Sequence, residues 1–152
     1  EHPNLCGDIT QLSDSLMQDI ATAVANVPEI VKLEITYSRY KYPHDKRRHW
    51  TWNAVDISKM DCDGNGLKGW SGGLDDAKAN GCITGGSLTS GNTGDGTDKY
   101  TGLKGPMVDF VNNLASMPKP YAVSQGEKGH PQAVLYFGFK KHHHHIHVSN
   151  TD

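Results

Sequence analysis

The clearest pattern of hydrophobic and polar positions predicts a helix followed by a strand near the start of the chain. Apolar residues recur every three or four positions from about 13 to 27, and Ser13 or Thr10 is available as the N-terminal cap. This spacing is typical of an amphipathic helix. Apolar and polar residues then alternate from Val31 to Tyr37, which predicts a strand with one buried face.

Later segments add a second helix and several more strands. Pro106 fits the first turn of a helix whose apolar positions include Met107 and Phe110. Helices beside a mainly antiparallel sheet indicate an α+β fold, and we expect residues 1–152 to form a single domain. The further predicted strands are Thr51 to Ile57, Tyr121 to Ser124, Ala133 to Phe139 and His145 to Ser149.

Most of the chain's 17 glycines lie between Lys59 and Gly105. A segment of this length inside a domain is normally functional or disordered when it has no secondary structure of its own. We therefore expect a long Gly-rich loop beside the functional site, as a wall or a lid. One helical turn is expected within it, from Leu74 to Ala79.

Three cysteines, Cys6, Cys62 and Cys82, cannot all pair within one chain. Cys62 and Cys82 bracket part of the Gly-rich segment, where a disulfide would stabilise a region with little apolar area to bury. Isolated thiols are the alternative. A disulfide would indicate an oxidising compartment.

The charge and hydropathy of the chain exclude two classes of partner. The formal net charge is −2, from 15 basic and 17 acidic side chains, so no basic field points to nucleic acid. No apolar run approaches the ~20 residues that span a bilayer, so we expect no membrane insertion. We expect a monomer.

A run of four histidines at 142–145 is followed by Ile146, His147 and Val148. One interpretation is a purification tag, although tags are usually unbroken and terminal. The other is a native strand. In a strand the side chains alternate, which puts His145 and His147 on one face and His144 on the other.

A second pair of candidate ligands, His49 and Asp56, lies in the first half of the chain. Together with His145 and His147 they supply the ligands of a zinc ion that keeps one coordination position open, with a base nearby. His49 and Asp56 are seven residues apart, so neither a straight strand nor a helix brings both to one ion. We therefore expect the chain to bend between them.

These motifs resemble those of a zinc peptidase superfamily that comprises D-alanyl-D-alanine carboxypeptidases, lysostaphin-type endopeptidases and hedgehog domains. The carboxypeptidase-like branch has the pattern S-x-H-x-x-G-x-A-x-D-[IL], and residues 47–57 read RRHWTWNAVDI. The segment ITYSRY at 35–40 and the ending HIHV at 145–148 resemble two strands of that branch. Trp52 stands where the family has glycine and Arg47 where it has serine, so the substrate is less defined than the metal.

The resemblance implies that His49, Asp56 and His147 bind a zinc ion. It implies His145 as the base or transition-state stabiliser, and Arg39 as a contact to the substrate or the oxyanion. The implied activity is hydrolysis of peptidoglycan stem or cross-link peptides by a D,D- or L,D-type carboxy- or endopeptidase. The implied location is secreted, periplasmic or in the cell wall.

A rival for the late motif is Glu127-x-x-His130, because many members of the carboxypeptidase-like branch have Glu-x-x-His with the glutamate as base. Here it lies in a sequence typical of a turn between strands. From such a turn Glu127 can still reach the catalytic water, so either Glu127 or His145 is a candidate base.

Two other functions fit parts of the sequence. The segments 49–51 and 147–149 are both His-x-Thr/Ser, which resembles the paired motif of the metal-independent 2H phosphoesterases. That reading leaves Asp56 and His145 without a role. The second is a zinc domain that binds without turnover, as in hedgehog domains, where the tryptophans Trp50, Trp52 and Trp70 would form a contact surface.

The segment 61–66, DCDGNG, resembles the first half of a calcium-binding loop. Gly72 stands where such a loop has its bidentate glutamate. A simple Asx-Gly turn is the preferred interpretation.

Overall fold

The computed structural model describes residues 2–9, 13–37, 54–90, 99–118, 121–125, 134–135 and 144–150. Strands and helices alternate irregularly along these ranges, which confirms the α+β class. The helices are α1 (Asp14–Ala25), α2 (Leu74–Ala79) and α3 (Pro106–Ala115). The strands are β1 (Leu5–Gly7), β2 (Lys32–Tyr37), β3 (Ala54–Asp61), β4 (Gly85–Ser90), β5 (Lys99–Lys104), β6 (Tyr121–Gln125), β7 (Val134–Leu135) and β8 (Ile146–Asn150).

The larger sheet has the strand order β1-β2-β3-β8-β6-β7 within the described ranges. The pairings β2–β3, β3–β8 and β8–β6 are antiparallel, whereas β1–β2 and β6–β7 at the two ends are parallel. The sheet is therefore mixed, with an antiparallel centre. Strand β8, which carries His147, lies inside this centre.

Both main helices form where the apolar periodicity predicts them. The Ser13 hydroxyl caps α1 by accepting a hydrogen bond from the Leu16 amide at 3.3 Å. Pro106 opens α3, where its missing N–H costs no hydrogen bond. The helices pack against each other, and α3 also packs against β6.

Among the described residues, the core includes apolar side chains of β2, β3 and β8 and the apolar faces of α1 and α3. The alternation of β2 places Leu33 and Ile35 in this core, fully buried. Val31 was expected on the same face, but it precedes β2 and is 53% exposed. Among the other described side chains of the larger sheet, five are also fully buried: Val55, Ile57, Met60, Ile146 and Val148.

The Gly-rich segment is more regular than a single long loop. It contains α2, as expected, and also β4 and β5, which pair antiparallel in a separate two-stranded sheet. A long loop beside the functional site is not confirmed. Strands that contain glycine are hard to predict from sequence, because glycine has little strand preference and no side chain that could show alternation.

Cys62 and Cys82 form a disulfide, and Cys6 is a free, half-buried thiol. Cys62 directly follows β3, and Cys82 lies shortly after the end of α2. Both of its residues lie in the hydrophobic core. It therefore ties the glycine-containing turns to the larger sheet.

The segment after β3 is an Asx-Gly turn, as its sequence predicts. The buried Asp61 carboxylate accepts hydrogen bonds from the backbone amides of Asp63, Gly64 and Gly66, at 3.3, 2.7 and 3.1 Å. Asp63 accepts from the Lys68 ammonium at 2.8 Å. These bonds satisfy a carboxylate that would otherwise be costly to bury.

The contact with Lys68 has a consequence at low pH. The hydrogen bonds from the Lys68 ammonium and from the Asn65 amide lower the pKa of Asp63 from 3.8 to about 2. Because the folded-state pKa is lowered, Asp63 stabilises the fold above about pH 4, and this stabilisation is lost as the pH falls through about 2.

We predict that Lys68→Met raises the pKa of Asp63 towards its ordinary value, because the largest cause of the lowering is removed. Titration of the Asp63 carboxyl carbon by NMR measures this. Lys59→Met removes another lysine of the same region and should leave the pKa at about 2. An unchanged pKa in Lys68→Met would contradict the assigned cause.

No helix within the described ranges is both long and apolar enough to cross a membrane.

Candidate functional site

Two predicted ligands, Asp56 and His147, face each other across the centre of the sheet. The antiparallel register of β3 and β8 places them directly opposite. The His147 Nδ1 atom lies 3.0 Å from the Asp56 Oδ1 atom. The sequence separates these residues by 91 positions, so this contact depends on the sheet topology.

Alternation explains why both side chains leave the core. Val55 and Ile57 flank Asp56 and are fully buried, as are Ile146 and Val148 on either side of His147. Strand geometry then directs the two polar side chains to the opposite face. There the side chains of Asp56 and His147 remain 21% and 32% exposed, which leaves them accessible to a small ligand.

A β-bulge lies next to Asp56. Ile35 pairs with Ile57, whereas Tyr37 pairs with Asp56, so Thr36 is an extra residue on β2. The Thr36 hydroxyl donates a hydrogen bond to the Asp56 carbonyl at 3.3 Å. Bulges bend a strand and re-aim its side chains, and they are common beside functional sites.

His145 is the third member of the cluster. Its Nε2 atom lies 3.9 Å from the Asp56 Oδ1 atom, beyond hydrogen-bonding distance, and its side chain is 13% exposed. His145 and His147 therefore approach the same carboxylate oxygen.

His144 contradicts the simple strand alternation. β8 begins at Ile146, and His144 and His145 lie in the turn before it. Their Nδ1 atoms are 2.9 Å apart, and their rings lie 4.9 Å apart at 37°. The expected placement of His144 on the face opposite His145 is therefore wrong, because residues in a turn do not alternate as strand residues do.

The atoms of this pair are of types that zinc binds, and their spacing suits either a shared ion or a hydrogen bond. Zinc binds imidazole nitrogen and carboxylate oxygen at ~2.0–2.2 Å, so two ligand atoms of a tetrahedral ion lie ~3.3 Å apart. The distance from Asp56 Oδ1 to His147 Nδ1, 3.0 Å, is close to this value. Without the ion the same distance is a hydrogen bond, in which Nδ1–H donates because an ionised carboxylate only accepts.

The other predicted site residues lie outside the described ranges. These are the ligand His49, the proposed substrate contact Arg39, and the rival pair Glu127 and His130. Within the described part of the chain, no group of three or more histidine, cysteine, aspartate or glutamate residues is arranged to hold a metal ion. The pair Asp56 and His147 therefore requires a further ligand, and His49 stays a prediction.

No protein-family model, no curated protein and no solved structure matches this chain.

His144 belongs to this cluster, although the sequence pattern predicts it on the opposite face. A signal was present: residues 140–145 contain no β-branched residue and no Tyr, Phe or Trp, and the first strand-forming residue after them is Ile146. A strand that begins at Ile146 leaves His144 free of the alternation rule.

Proposed function

We propose that this protein is a zinc-dependent peptidase that hydrolyses stem or cross-link peptides of bacterial peptidoglycan. The observation that carries the proposal is the contact of Asp56 with His147 across β3 and β8, with His145 beside the same carboxylate. The motif resemblance, which includes all three residues, supplies the reaction class and the substrate class. The Cys62–Cys82 disulfide is typical of an oxidising compartment and supports a secreted, periplasmic or cell-wall location.

Asp56 and His147 would hold the zinc ion together with His49. When bound, zinc supplies a Lewis acid that polarises the scissile carbonyl and activates water near neutral pH. The two described ligands come from paired central strands, which keeps their separation nearly fixed without the metal. Such preorganisation is what a catalytic site requires of its scaffold.

His145 would act as the general base. A base must lie within hydrogen-bonding reach of the proton that it removes, directly or through one water. The Nε2 atom of His145, 3.9 Å from the Asp56 carboxylate, satisfies this requirement for a water held beside Asp56. Arg39 would contact the substrate or the oxyanion, and Glu127 is the alternative base.

The arrangement favours this proposal over a 2H phosphoesterase. That activity uses two imidazoles without metal and gives Asp56 and His145 no role. Here Asp56 contacts His147 at 3.0 Å, and His145 lies close to Asp56. Hydrolysis of a 2′,3′-cyclic nucleotide in excess chelator would support the phosphoesterase instead.

We predict that a zinc chelator reduces peptide release from purified peptidoglycan to background, and that one equivalent of zinc restores it. Mass spectrometry of the released peptides measures both results and identifies the bond that is cut. The protein must carry no added affinity tag, because additional histidines bind zinc.

The control is the same concentration of chelator saturated with zinc beforehand, which should leave peptide release unchanged. Full release in the metal-free chelator would contradict a zinc peptidase. Tight stoichiometric zinc binding without hydrolysis of any cell-wall fragment would instead identify a non-catalytic zinc domain.

A further inference from the structure

We infer that His144 is a positioning residue that fixes the ring orientation and the tautomer of His145. The inference rests on the proposed function, in which His145 is the base. It adds a residue to which neither the motifs nor the resemblance gives a role.

The geometry connects the two rings through one pair of atoms. The 2.9 Å distance between the Nδ1 atoms of His144 and His145 is a good hydrogen bond. The rings also contact each other at 4.9 Å, which restricts rotation of the His145 ring. His145 is held with Nδ1 towards His144 and Nε2 towards Asp56.

This hydrogen bond constrains where the proton of His145 resides. In a pair of neutral imidazoles, one Nδ1 atom donates and the other accepts. If His145 donates, its Nε2 atom carries a lone pair on the side of Asp56, which is the form that a general base requires. We assign the donor role to His145.

The assignment follows from the base role proposed for His145, because a general base must carry a lone pair on the nitrogen that takes the proton. The Nε2 atom is the one that faces the site, 3.9 Å from the Asp56 carboxylate. His147 donates to the same carboxylate oxygen at the shorter distance of 3.0 Å. The nitrogen partner of a functional imidazole commonly fixes its tautomer in this manner.

Two substitutions of His144 separate the hydrogen bond from the ring contact. His144→Asn places an amide oxygen on Cγ, where Nδ1 is attached in histidine, so it can still accept from His145. His144→Phe keeps an aromatic ring but puts carbon at that position. His2→Phe, at a histidine distant in sequence, is the matched control for the loss of a histidine.

The first readout is the tautomer of neutral His145, from long-range ¹H–¹⁵N correlation spectra of the full chain. His145→Gln assigns its signals. We expect the Nδ1–H tautomer in the unsubstituted protein and in His144→Asn, and a substantial Nε2–H population in His144→Phe. An Nε2–H tautomer in the unsubstituted protein, or the same tautomer in all three, would overturn the inference.

The second readout is peptide hydrolysis. We expect kcat to fall by about 10- to 100-fold in His144→Phe, with KM within about 2-fold, because the loss of an orienting partner typically costs this much. His144→Asn should retain kcat within about 3-fold. Equal losses in both variants would overturn the inference, since a hydrogen-bond acceptor would then make no difference.

The two readouts distinguish the inference from the proposed function. If the unsubstituted protein hydrolyses no peptide but the tautomer differs between His144→Asn and His144→Phe as expected, the peptidase proposal fails and the positioning role stands. If peptide release is zinc-dependent but the tautomer is unaffected by His144→Phe, the positioning role fails alone.

Discussion

Replacing His147 with alanine should abolish stoichiometric zinc binding and, with it, peptide release. This is the expected result because, in the proposed site, His147 would supply one of the two described ligand atoms, 3.0 Å from Asp56. Loss of an outer partner of a metal ligand already costs about 10- to 100-fold in affinity or activity, so loss of a ligand should cost at least about 100-fold. Elemental analysis and titration with zinc measure the affinity.

The fold should survive this substitution. The side chain of His147 points away from the core, and its neighbours Ile146 and Val148 keep their buried face. Far-UV circular dichroism of His147→Ala should therefore match that of the unsubstituted protein. His2→Ala, the control, should keep both the zinc and the activity. A His147→Ala variant that holds one zinc ion per chain would contradict the assignment of this ligand.

Removing the Cys62–Cys82 disulfide should destabilise the fold by about 3 kcal/mol. The bond closes a loop with a sequence separation of 20 residues, and loop-closure entropy predicts a cost of this size. For a domain of this length the melting temperature should fall by roughly 6–12 °C. Thermal unfolding of the double variant Cys62→Ala/Cys82→Ala measures the change.

Cys6→Ala is the matched control because Cys6 is a free, half-buried thiol. It should change the melting temperature by much less than the double variant. Reduction of the unsubstituted protein with dithiothreitol should lower the melting temperature in the same direction as the double variant. Equal stability of the oxidised and reduced protein would contradict a stabilising role for this bond.

The periodic elements of the fold were predictable from sequence. The apolar repeats of α1 and α3 specify which residues are buried, and the alternation in β2 places Leu33 and Ile35 in the core. The strands that were not predicted, β1, β4 and β5, are short or contain glycine, so their sequences show little alternation.

Local patterns predict the faces on which Asp56 and His147 lie, but not the contact between them. Alternation places Asp56 and His147 on the polar side of their strands, since each is flanked by buried residues. Their contact depends on the pairing of β3 with β8, which no local pattern specifies. His144 was misplaced because alternation was extended past the start of β8.

The Cys62–Cys82 bridge is a different case. The sequence favours Cys62–Cys82 among the possible pairings because these two residues bracket part of the Gly-rich segment, but it leaves isolated thiols as an alternative. The fold selects it by bringing the Cα atoms to 5.2 Å.

The most direct test of the site is a crystal structure of the zinc-loaded protein with an anomalous difference map at the zinc absorption edge. The proposed site predicts one peak between β3 and β8, ~2.0–2.2 Å from a carboxylate oxygen of Asp56 and from an imidazole nitrogen of His147. His49 should complete the set. A peak elsewhere, with Asp56 and His147 still hydrogen-bonded to each other, would contradict it.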